Sequence, residues 1–198
     1  MASVTPVTIV NMVLSELGAA RITSFQDGSK NAGLVNAFYD LALEQTLAYH
    51  PWNFAIKRVK DVPERSTKPA WGYKYAYTYP PTCLRILGIG RKGIESQMKW
   101  SAEVDELTDE RVVLTDLQPP IDIRFIYKVT NTQVFSPNFV LAFVKVLKTH
   151  LSRPLTGRAE VKVESMKELD DFVKKSLSVD GLEGTPDEYT PSDLEQVR

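Results

Sequence analysis

Tyr49-His50-Pro51-Trp52-Asn53-Phe54-Ala55-Ile56-Lys57-Arg58 is the stretch on which the fold turns. Before it, apolar residues recur every three or four positions. After it, they recur every second position, so the text changes from helical to β at Trp52. Pro51 supplies the stop, because a residue preceding proline is pushed out of the helical region. Upstream, a helix is predicted from about Lys30 to Tyr49, carrying Leu34, Phe38, Leu41, Ala42 and Ala48 on one side. A turn of Asp27, Gly28 and Ser29 precedes it. Further upstream, Thr5 as cap, Pro6 at the first helical position and Gly18 as left-handed stop bracket another helix. Its apolar stripe is Val10, Val13, Leu14 and Leu17.

Downstream, β-formers come in short runs between turn residues. Phe54-Ala55-Ile56, Tyr73 to Tyr79, Leu84 to Ile89, Met98 to Val104, Val112 to Thr115 and Ile121 to Val129 read as five or six strands. Tyr73, Tyr75, Tyr77 and Tyr79 fall on one face of theirs. Pro63, Pro69, Pro80-Pro81 and Pro119-Pro120 punctuate the region. Short strands in this number predict a small antiparallel sandwich or barrel.

Helical spacing returns at Ser136-Pro137, another cap-plus-proline start. Phe139, Val140, Phe143, Val144, Leu147 and Leu151 make a helix apolar over most of its girth, which places it at the centre of a bundle. Arg153-Pro154 is expected to break it. A last helix, about Ala159 to Val179, turns Met166, Leu169, Phe172 and Val173 inward. Asp170 with Lys174 and Asp171 with Lys175 form favourable pairs on its outer side. From Gly181 the chain is acidic and proline-containing, too poor in apolar side chains to order itself alone.

The expected class is therefore α+β. A four-helix bundle-like helical domain (residues 1–52 and 131–180) is interrupted by an inserted antiparallel β-sandwich or barrel domain (residues 53–130). An extended C-terminal tail (residues 181–198) follows. At 198 residues and 43% apolar content the chain can bury a sizeable core. A net charge of −1 gives no bulk attraction to nucleic acid or anionic lipid. The single cysteine, Cys83, excludes an intramolecular disulfide and a cysteine-based zinc site. No basic N-terminal segment precedes a hydrophobic run, so no signal peptide is expected. The longest apolar run, Phe139 to Val144, is too short to span a bilayer.

Gly88-Ile89-Gly90-Arg91-Lys92-Gly93 matches the dinucleotide-binding glycine pattern literally. Such a site needs a helix to open there, so that free amides meet a pyrophosphate. Ile94 to Trp100 carries no helical stripe, so a glycine-containing hairpin is predicted and no cofactor. His50 and His150 have no matched carboxylate spacing for a metal, and each is placed near a helix end. Cys83 reads as a packed core thiol. Two convergent carboxylates remain open as a hydrolase pair. Lys57, Arg58 and Lys60, with Arg91 and Lys92, are the basic positions that fit a subunit contact or a channel lining.

Four stretches, in order, resemble the tail tubular protein A family, the head-to-tail adaptors (connectors) of short-tailed bacteriophages and related prophages. They are Leu14 to Ser29, Tyr49 to Arg58, Trp71 to Ile86 and Phe135 to Gly157, within a span from about Ile9 to Val179. The resemblance implies a non-enzymatic structural protein of the virion, without catalytic residues or cofactors. It implies a dodecameric ring beneath the portal protein, joined to the tail proteins, through which genomic DNA passes during ejection. Assembly would take place in the host cytoplasm, with no membrane partner and with the free chain monomeric. Related adaptors use a C-terminal extension to reach a neighbour or the portal. In this chain the corresponding candidates are Glu183, Asp187, Glu188, Tyr189, Asp193 and Leu194. A tail-associated carbohydrate hydrolase and a DNA-binding module are the alternatives from other classes.

Overall fold

The computed structural model describes the backbone of residues 4–180 and the side chains as far as Phe172. Helices α1 (Pro6–Glu16) and α2 (Lys30–Tyr49) come first. Strands β1 (Ile56–Val62), β2 (Tyr75–Thr78), β3 (Cys83–Arg91), β4 (Ile94–Glu95), β5 (Trp100–Val104), β6 (Arg111–Thr115) and β7 (Ile121–Tyr127) follow. Helices α3 (Pro137–Thr156) and α4 (Ala159–Asp180) close the order. The protein is α+β, with two antiparallel sheets ordered β1-β7-β3-β4 and β2-β6-β5.

The helix signals act as their chemistry requires. Thr5 Oγ1 accepts the Thr8 amide at 3.2 Å, Ser29 Oγ that of Ala32 at 3.1 Å, and Ser136 Oγ that of Phe139 at 3.3 Å. Each satisfies a donor that the first helical turn leaves unpaired. Gly18 adopts φ +67° after α1, the left-handed stop that a Cβ would disfavour. Between α1 and α2 the chain forms neither helix nor strand, and asparagines hold it. Asn11 exchanges two 2.9 Å bonds with the backbone of Ile22, as a neighbouring strand would. Asn31 donates to the Ala20 carbonyl at 2.8 Å and Asn36 to that of Phe25 at 2.7 Å.

Helix α3 is central, touching α1, α2 and α4. Its Phe139, Phe143, Leu147 and Leu151 are fully buried. Pro154 does not break it. The helix continues to Thr156 and stops at Gly157, in the left-handed region, whose amide returns to the Arg153 carbonyl at 2.9 Å. Proline there sacrifices the bond to the carbonyl four residues back. Packing of Leu151 and Leu155 on the helical core holds the last turn in place.

Two helix faces differ from the sequence reading. On α2 the buried set is Ala32, Val35, Ala42, Leu43, Thr46 and Leu47, while Leu41 is 54% exposed and Leu34, Phe38 and Ala48 are half-buried. Small residues and a self-satisfied threonine, whose hydroxyl donates to the Ala42 carbonyl at 2.6 Å, make the closer seat for α3. On α4, Leu169 and Phe172 pack inward as expected, but Met166 is 52% exposed and Ser165 is buried. Ser165, Leu169 and Phe172 define the inward face, Glu168 beside them reaches Lys148 of α3 at 2.9 Å, and Met166 falls on the outer side. The side chains of Val173, Lys174 and Lys175 lie outside the described residues.

In the β region there are seven strands rather than five or six. Asn53–Ala55 is a single 3₁₀ turn, so the first strand starts at Ile56. Phe54 goes instead to the aromatic cluster around Phe139. Tyr75, Tyr77 and Tyr79 pack with one β core, but Tyr73 precedes the strand and packs with Ala76, Val112 and Leu114. The two sheets share the core containing Tyr77, Val113, Ile86, Ile123 and Phe125. Ile126, Val129, Leu84 and Leu87 join the helical core instead. The four-stranded sheet is thus buried against helices through one set of side chains and against the second sheet through another.

Candidate functional site

The β3–β4 connection decides the glycine motif. Gly88 and Gly90 lie within β3, Lys92 and Gly93 take φ +54° and +81°, and Arg91 pairs with Ile94 across the turn. Successive positive φ values define the tight hairpin turn whose twist matches the strands. A Cβ on Gly90 would collide with the Ile94 carbonyl, and one on Gly88 with the Glu95 carboxylate. The glycines serve a close strand approach. No helix opens there to present amides to a phosphate.

The five basic candidates separate. Arg58 and Lys60 line a shallow cleft of about 180 Å³ with Gly88, Gly93, Ile94 and Arg124. Lys92 stands exposed at the hairpin turn. Lys57 lies over the Tyr127 ring, 3.6 Å from its centroid. Arg91 is half-buried and donates to the Pro119 carbonyl at 3.1 Å, so it belongs to the framework. Arg124, which pairs opposite Arg58, was missed. The alternation Ile121-Asp122-Ile123-Arg124-Phe125 places it outward beside Asp122 and was the signal available.

The cleft also holds two carboxylates, as a hydrolase would need. Both are engaged. Glu95 bonds Arg124 at 3.1 Å, and Asp122 accepts amides of Gly93 at 2.6 Å and Asp61 at 3.1 Å. They fix the hairpin to β7 and β1. Cys83 is buried, and desolvation pushes its thiol above the usual range, as for a packing residue. His50 meets Trp52 edge-on, with ring centroids 5.0 Å apart. His150 lies inside α3, stacked on Phe38 with Nε2 2.9 Å from Gln45 Oε1.

A second concavity, about 400 Å³, opens on the three-stranded sheet between residues 67–73 and 103–107. Its floor is Ala76, Val112 and Leu114. Asp105 organises one wall. Its carboxylate accepts the Thr67 hydroxyl at 2.8 Å and the amides of Leu107 and Thr108 at 2.9 and 3.1 Å. Those bonds, the Thr67 one foremost, hold its pKa below the usual carboxylate range.

A third, polar hollow lies between α1, α3 and α4. There Lys148 sits 3.2 Å from Glu16 and 2.9 Å from Glu168, tying three helices with one ammonium. Among the described residues no group of three or more His, Cys, Asp or Glu side chains is placed to hold a metal ion. No helix there is long and apolar enough to cross a membrane. The tail candidates Glu183, Asp187, Glu188, Tyr189, Asp193 and Leu194 lie outside the described residues. No protein-family model matches the chain, and no curated protein matches it.

Proposed function

We infer that this chain is a head-to-tail adaptor of a short-tailed bacteriophage or related prophage. One observation carries the reading: the stretches that resemble the family supply the joints of the fold. Ser29 caps α2, Trp52 donates its indole N–H to the Thr46 carbonyl at 2.9 Å where α2 ends, and Ser136 and Gly157 bound α3. Seven strands stand between α2 and α3, at the place where an inserted domain is expected. In this reading the helices form a bundle-like body, the sheets a sandwich set into it, and the acidic tail an extension toward a partner. The protein works through surfaces and not through a catalytic site. It would join the portal to the tail proteins as a dodecameric ring at the head–tail junction, with genomic DNA passing through the channel.

Mixing the protein with a portal protein from the same genome tests the reading. Light scattering of the free chain should give close to 22.3 kDa. The mixture should give one large complex with one subunit per portal chain, weakened when residues from Gly181 are deleted. Absence of a complex, or DNA affinity with a steep salt dependence, would favour a different class.

A further inference from the structure

The three-stranded sheet shares Tyr77 and Val113 with the β core, and beside its other face lies the 400 Å³ groove. Two large apolar side chains stand at the groove uncovered: Trp71, 87% exposed, and Leu107, 83% exposed. Leu107 is held there by design of the turn. Asp105 fastens the backbone of Leu107 and Thr108, and Arg65 meets Glu110 at 2.8 Å at the base. Hydrogen bonds that fix a leucine in water are spent against the hydrophobic effect unless something covers it. The rim is acidic. Glu103 and Glu106 are exposed and make no ion pair among the described residues, while Lys68 on the same rim is engaged by Glu64.

The hairpin on the other sheet has the opposite character. Ile94 at its tip is 74% exposed, Lys92 beside it is exposed, and Arg58 and Lys60 stand on the neighbouring cleft. None of these three cations makes an ion pair among the described residues. Glu95 and Asp122 beside the tip are engaged by Arg124 and by backbone amides. Among the described residues, a narrow apolar tip with unpaired cations at its border thus matches an apolar groove with unpaired anions at its own.

We propose that the Lys92-Gly93-Ile94 tip of one copy seats in the Trp71–Leu107 groove of a second copy, with Lys92, Arg58 and Lys60 facing Glu103 and Glu106. The two surfaces are different, so the contact is heterologous and repeats head to tail. It is small and charged, so it is weak between free chains and sensitive to salt. The proposal deepens the adaptor reading by naming the surfaces that meet, and rests on it only for closure into a ring.

The test uses the chain alone. Protein carrying Ile94→Cys is mixed with protein carrying Leu107→Cys at high concentration under mild oxidation, with native Cys83 left buried. The mixed disulfide should form about tenfold faster than with a Lys30→Cys control partner, an advantage of about 1.4 kcal/mol. High salt should abolish the advantage. Glu103→Lys with Glu106→Lys should abolish it too, and Arg58→Glu with Lys60→Glu on the other copy should restore it. A mixed rate no faster than the control, or same-residue dimers forming faster than mixed ones, would overturn the proposal. A positive cross-link with no portal complex would sink the adaptor reading alone; a portal complex with no cross-link would sink this contact alone.

Discussion

Around Phe139 in α3, the rings of Trp52, Phe54, Phe135 and Phe143 pack with centroids 4.5 to 6.1 Å away. Between residues 71 and 107, by contrast, Trp71, Ile94, Val104 and Leu107 stand in solvent, the four most exposed large apolar side chains among the described residues. The helical part turns its phenylalanine and tryptophan rings to its own interior, while Met12, Leu41, Leu141, Val163 and Met166 lie 42 to 54% exposed along its outer faces. The β part builds a smaller core, largely of aliphatic side chains with Tyr77 and Phe125, and carries large apolar groups outside it. Both regions bury a core, but the largest uncovered groups, Trp71 and Leu107, stand together at one groove of the β part.

Truncating the aromatic hub should break the contrast most severely. Phe139→Ala removes the ring that the other four touch, and should cost about 3–5 kcal/mol in urea unfolding. Gly90→Val should act locally. The new side chain forces the Ile94 carbonyl away, at about 1–3 kcal/mol. Hydrogen exchange should then show lost protection in β3 and β4 while α3 keeps its own.

A smaller effect comes from pH. Burial holds the His150 imidazole below its usual range, with Lys162 adding repulsion. A lowered folded pKa means that the neutral ring is the one the fold accommodates. Its contribution is complete above the ordinary value of about 6.5 and is lost as pH falls through the lower folded value. His150→Gln should flatten that part of the acid limb in melts recorded from neutral to mildly acidic pH. The smallest effect belongs to the groove. Leu107→Asp should leave unfolding free energy within about 0.5 kcal/mol of the parent, since nothing in the subunit rests on that side chain. A large loss would mean that the groove belongs to the subunit's own core.

Much of the helical framework was legible because caps are local chemistry. Thr5, Ser136 and Gly18 announce their roles within four residues, whereas Ser29 reads as turn and its capping of α2 is seen only in the structure. The glycine hairpin was legible for the same reason. What escaped depends on partners distant in sequence. Pro154 reads as a break until the packing of Leu155 is known. Leu41 and Met166 read as core until Thr46 and Ser165 are seen to satisfy their hydroxyls within their own helices. The candidate site was legible as a list of cations but not as a place. Strand pairing brings Arg58 opposite Arg124 and sends Lys57 to Tyr127, and no spacing in β1 alone predicts either.

The asparagine-held connection between α1 and α2 bears on how this protein can change over generations. Surface connections of such length ordinarily accept extra residues at slight entropic cost. Here Asn11, Asn31 and Asn36 reach Ile22, Ala20 and Phe25 from fixed helices. One inserted residue would draw some of those acceptors away from their donors together. Exposed side chains such as Gln26 can drift, whereas Ile22 is buried in the helical core and Phe25 meets the Tyr39 ring edge-on. The number of residues in the connection, beside the few that carry its turns and its core contact, is what descent must preserve.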